Sequence, residues 1–140
     1  MPIAIKISIL FSGIFLMTGL LTGVWKYAKI MSSPEHTAPV YVDIAHRASL
    51  LYAFASLVIA KLVEFSPFGT TLQIVAVAVP LIYFALAIAG YIKEGLRDKT
   101  DNMFTERNFL TTWFVYGLIA GEIGGVALLL VGFIYTQFFV

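Results

Sequence analysis

The chain has 140 residues, of which 60% are hydrophobic and 12% charged, with a mean hydropathy of +0.93. A soluble domain averages about 25% charged residues, so this composition describes an integral membrane protein with no room for a separate soluble domain. The absence of cysteine excludes disulfides, thiol nucleophiles, iron–sulfur clusters and thiolate-bound zinc or haem. A net charge of +1 without a basic run carries no nucleic-acid signature.

Four apolar segments are long enough to cross a bilayer, which takes roughly 20 helical residues. They run over about 3–27, 45–63, 71–92 and 109–138. They are rich in Leu, Ile, Val, Ala and Phe without period-2 alternation, which argues against a barrel. The expected fold is all-α: a single membrane domain formed by a four-transmembrane-helix antiparallel bundle.

The apolar run Ile7–Val24 exceeds a signal-peptide core and reads as the first spanning helix. It carries Gly19 and Gly23, four apart, and closes on Trp25, Lys26 and Tyr27. Ser32-Ser33-Pro34 and Pro39 break the first connection, and Ser66-Pro67-Phe68-Gly69 makes the second a tight turn. Pro80 lies inside the third segment, where neighbouring groups can satisfy the carbonyl it frees. The third connection, Lys93 to Arg107, is the most charged stretch and reads as a solvated loop or short surface helix. The fourth segment carries Gly117, Gly121 and Gly125, with Gly124 beside them. Rows of small residues let helix backbones approach within a bundle or between subunits.

The nine Lys and Arg residues fix an orientation. Lys26, Lys29 and Arg47 flank the first connection, and Lys93, Arg97, Lys99 and Arg107 the third. Only Lys6 and Lys61 lie on the opposite side. The positive-inside rule then puts connections one and three in the cytoplasm and both termini outside, as in a bacterial inner membrane. The halves show no repeat, which argues against an inverted-repeat transporter.

The densest chemistry is Val42-Asp43-Ile44-Ala45-His46-Arg47, where the second segment begins. Ionisable groups at membrane depth are expensive and usually have a partner or a task. Asp43, His46 and Leu50 share a helix face by i, i+3, i+7 spacing. Antiparallel helices put His46 level with Trp25, with Tyr91 and with Thr111 or Thr112, and Tyr83 shares a face with Tyr91. A cytoplasmic-side pocket of imidazole, phenol and aromatic groups is expected there. The bland account makes the Tyr and Trp residues interface anchors, Arg47 a snorkelling cation and Asp43 a helix-start anion. Glu122 is a second anomaly, about fourteen residues or 21 Å into the fourth segment. That depth allows either an ion pair with Lys61 or a proton-binding carboxylate of a transporter. Di-iron, zinc, phosphate-loop and Ser–His–Asp patterns are absent. A single membrane histidine suits five-coordinate haem, in which one imidazole holds the iron; His36, between Pro34 and Pro39, is a poor second ligand.

Leu20-Leu21-Thr22-Gly23-Val24-Trp25, a Pro-containing loop, Ala45-His46 and a third segment ending Gly90-Tyr91 together resemble the styrene oxide isomerases over about the first 95 residues. Those are small four-helix membrane proteins that bind haem b between subunits and rearrange an epoxide to an aldehyde without redox turnover. The resemblance implies that His46 is the axial ligand to the haem iron and that Tyr91 is the active-site tyrosine, with Tyr83 a second phenol. It implies Lewis-acid catalysis on a small hydrophobic substrate and a homo-oligomer. This chain departs from the family at Tyr52, where the family has asparagine, and at Tyr83, where it has aspartate. Two of the polar groups that the resemblance implies around the reacting oxygen are thus replaced by phenols. Two other readings stand beside it. One is a non-catalytic membrane subunit of an oxidoreductase or transport complex, and the other is a proton-coupled transporter acting through Glu122.

Overall fold

A computed structural model describes all residues, 1–140, and contains four long helices and no strand. They are α1 (Ile3–Ser32), α2 (Val40–Glu64), α3 (Thr70–Arg97) and α4 (Val115–Phe138), the last entered through a π-helical turn, Leu110–Phe114. All four are long and apolar enough to cross a membrane.

The helices outrun the apolar segments because the flanking Lys, Glu, Tyr and Ala residues continue a helix after the hydrophobic run has ended. α1 has 30 residues, about 45 Å at 1.5 Å per residue, against a hydrocarbon core of about 30 Å. It stops where Ser33, held extended at φ −90° and ψ 133°, precedes Pro34, whose ring disfavours helix in the residue before it. α2 starts directly after Pro39. α3 continues through Lys93 and Glu94, and ends at Asp98 in the left-handed region, φ 47° and ψ 42°. Asp tolerates that conformation better than most residues. The charged third connection is thus partly the end of α3, and only the remainder is loop.

Small residues set the register. Ser12 Oγ donates to the Ala53 carbonyl at 2.9 Å, joining α1 to α2. A Cβ on Gly19 would come within 2.6 Å of Leu50 Cδ2, and one on Gly23 within 2.9 Å of His46 Cε1. On the other side, Gly117 and Gly121 face Tyr83, while Gly125 faces the Ala76 carbonyl and Pro80. Both glycine rows therefore serve packing within the chain. Pro80 has no N–H to offer the Ala76 carbonyl, and α4 presses Gly125 over that freed group.

α1 packs chiefly on α2 and α4 chiefly on α3, and α1 and α4 do not touch. The bundle is consequently open on one side. Its apolar centre includes Phe15, Ile59, Val63, Val77, Leu81, Phe84 and Leu129. Tyr52 stacks on Phe84 with ring centroids 4.1 Å apart, linking α2 to α3 at mid-height.

Candidate functional site

His46 projects from α2 onto α1. Its Nδ1 lies 2.7 Å from the Gly19 carbonyl oxygen. A carbonyl can only accept, so Nδ1–H is the donor of this bond and Nε2 is the acceptor nitrogen of the neutral ring. Nε2 makes no hydrogen bond within the chain and is not enclosed by it. Gly23 leaves the space in which the ring lies. One helical turn nearer the end of the bundle, Asp43 accepts from Lys26 of α1 at 2.6 Å and from Arg47 at 3.4 Å. Asp43, His46 and Leu50 thus share a face as the spacing predicts, and that face is pressed against α1.

The expected common pocket does not form within one chain. Tyr91 stacks on Tyr41 of α2, centroids 6.2 Å apart. At about 100° per residue, Tyr41 lies about 140° around α2 from His46. Tyr83 turns toward α4, with its hydroxyl against Gly117 and its ring 5.6 Å from that of Phe114. Thr111 is held in the turn before α4 by Asn108 and the Glu106 carbonyl. Trp25 wedges against Gly95 of α3 instead of lining a site. Tyr91 is accordingly separated from His46 by the body of α2, and Tyr83 belongs to the α3–α4 seam.

Tyr91 does line a cavity of about 210 Å³ between α3 and the start of α4. Leu86, Ala87, Phe114 and Leu118 form its apolar walls, Met103 and Phe104 of the third loop close it, and Lys93 and Glu94 stand at its edge. The loop is held there by Tyr41, whose hydroxyl oxygen accepts the Met103 N–H at 2.6 Å. This contact joins residues 62 apart in sequence. Sequence reading leaves Tyr41 an interface anchor, because nothing local marks a distant backbone donor.

Glu122 does not pair with Lys61. Lys61 is bonded to Glu64 at 2.8 Å, and its side chain is exposed. The register explains the difference: Gly121 faces Tyr83 and Val79, and Tyr52 stacks on Phe84, so Glu122 is level with Tyr52. Lys61 is about two and a half turns further along α2. The Oε1 of Glu122 is buried without a hydrogen-bond partner.

No three His, Cys, Asp or Glu side chains gather into a metal site. The chain offers a single imidazole held through Nδ1 by a backbone carbonyl, as metal-ligating histidines commonly are, and His46 lines none of the main cavities within one chain. His36 lies exposed in the first loop at φ 53°, away from any spanning segment.

These features define a small polytopic α-helical membrane protein with one oriented histidine and a separate carboxyl on α4. The chain has no significant match among known family models, curated proteins or solved structures.

Proposed function

We propose that the chain is a haem-b-binding integral membrane protein of the styrene oxide isomerase kind. Connections one and three lie in the cytoplasm, and the protein rearranges a small apolar epoxide-type substrate. The observation that carries this reading is the His46–Gly19 hydrogen bond of 2.7 Å, because it leaves Nε2 free as a ligand. Bound through Nε2, haem would supply a Lewis-acidic iron.

The chain's own residues have separable tasks. The Gly19 carbonyl holds the imidazole by Nδ1 and so aims Nε2, and Gly23 gives the ring room. The apolar walls around Tyr91 accept a hydrophobic molecule and exclude water, which would otherwise open an epoxide to a diol. The Tyr91 hydroxyl orients an oxygen by hydrogen bonding. Because Tyr91 and His46 of one chain lie on different faces of α2, the reading requires a homo-oligomer in which His46 of one copy meets Tyr91 of another.

A second reading, a non-catalytic subunit of a membrane complex, is favoured by that same separation of imidazole and phenols. Conversion of small aryl epoxides by haem-replete protein separates the two. Aldehyde formed by wild type and lost in both His46→Ala and Tyr91→Phe supports the isomerase. Failure across a panel of epoxides with haem bound supports the subunit.

A further inference from the structure

We propose that the cavity of about 210 Å³ between α3 and the start of α4 binds a small apolar carboxylate, with its hydrocarbon body against Gly90 and Phe114 and its charged head at Lys93. The cavity is the one that the isomerase reading gives to its substrate. Binding of an acid there needs neither haem nor turnover, so either can fail without the other.

The space is built into the helix. Gly90 lines it, and a Cβ at that position would meet nothing within 4 Å. Glycine in a helix interior is less stable than alanine, and close packing accounts for it at the neighbouring positions. Gly95 makes room for Trp25 and Val42, and Gly117 and Gly121 make room for Tyr83. Nothing in the chain fills the room at Gly90. The walls around it are held in place. Tyr91 stacks on Tyr41, with centroids 6.2 Å apart, and the Tyr41 hydroxyl accepts the Met103 N–H of the closing loop. A preformed apolar cavity with a few placed polar groups is the usual form of a small-molecule site.

Those polar groups select the ligand's head. Tyr91, Lys93 and Glu94 are the polar side chains that line the cavity. Glu94 is engaged by Arg97 at 3.4 Å, and its side chain is only 14% exposed. Lys93 is exposed and takes part in none of the chain's ion pairs. The one uncommitted charge at the cavity is thus an ammonium, and it calls for an anion. A carboxylate accepts hydrogen bonds from both the ammonium and the Tyr91 hydroxyl. Lys93 stands near the end of α3, so the head stays in water while the body is buried. A body that fills this volume is a short chain or a single ring, far smaller than a membrane acyl tail. Leu86 and Leu110 line the cavity and are also exposed, so such a molecule enters from the bilayer.

The test is calorimetric titration of the full chain in lipid nanodiscs with hexanoate, 1-hexanol and hexylammonium, which share a chain and differ in the head. Empty nanodiscs serve as blank. Wild type should bind hexanoate saturably and more tightly than the other two. Gly90→Leu, whose side chain enters the cavity, should abolish binding, whereas Gly124→Leu, beside open space and away from the cavity, should preserve it. Lys93→Gln should weaken hexanoate about fivefold, the size of a partly exposed ion pair, and leave hexanol unchanged. The His46→Ala variant should bind hexanoate as wild type does. No saturable hexanoate binding, hexylammonium bound as tightly as hexanoate, loss of binding in His46→Ala, or unchanged affinity in Gly90→Leu or Lys93→Gln would overturn the proposal. Should Gly90→Leu not fold, the order of the three heads in wild type and its change in Lys93→Gln decide.

Discussion

His46 and Gly19 are joined across the α1–α2 seam by a 2.7 Å hydrogen bond from the imidazole Nδ1–H to the backbone carbonyl. The bond orients the ring and leaves Nε2 without a partner in the chain. The space for it is made one turn along α1, at Gly23.

Gly23→Ala should therefore act on His46 before it acts on the fold. The added methyl would lie 2.9 Å from His46 Cε1 and 3.0 Å from Nδ1, and overpacking of this kind costs about 1–3 kcal/mol. The expected outcome is a lower haem-to-protein ratio with the protein still helical by circular dichroism. Gly13→Ala, where a methyl meets nothing within 4 Å, should leave the ratio unchanged.

The α3–α4 seam gives a graded series. Gly121→Ala brings a methyl against the Tyr83 and Val79 side chains, which can turn aside. Gly125→Ala brings it 2.7 Å from the Ala76 carbonyl oxygen and 2.9 Å from Pro80 Cδ, a backbone and a ring that cannot. Thermal unfolding in detergent should rank Gly125→Ala well below Gly121→Ala, with about 3 kcal/mol or more lost in the former. Gly124→Ala, beside open space, should be close to wild type.

Tyr41→Phe removes the acceptor for the Met103 N–H but keeps the ring that stacks on Tyr91. Hydrogen exchange at residues 102–105 should speed up while exchange in α2 and α3 stays slow. The cost in global stability should be about 1 kcal/mol.

Asp43→Asn weakens the tie between Lys26 and Arg47 at one end of the α1–α2 seam. Both Lys26 and Asp43 are about one-third exposed, at 31%, and pairs of that kind contribute about 1 kcal/mol at most. A small shift in unfolding temperature that vanishes at high salt is expected, with His46 still in place.

The four helices are legible because each is a long apolar run, and hydropathy reports burial in lipid directly. Their ends are not, because helix propensity carries α1 and α3 past the last apolar residue until Pro34 or the left-handed Asp98 stops them. The face shared by Asp43, His46 and Leu50 follows from helical spacing alone. Which neighbour that face meets does not, since a periodicity holds no information about the helix opposite. A signal was nonetheless present: Gly19 and Gly23 form a groove on α1 at the depth of the one imidazole on α2. Glu122 shows the complementary failure. Counting residues from the segment end places it near Lys61, whereas the register set by Gly121 against Tyr83 and by Tyr52 against Phe84 places it level with Tyr52.

The central claim, a haem held by His46, is tested most directly by the visible spectrum of the protein purified from haem-sufficient cells, oxidised and reduced, beside His46→Ala. The account predicts a Soret band in wild type that disappears in the variant. A colourless wild type, or a band that survives the substitution, would contradict it.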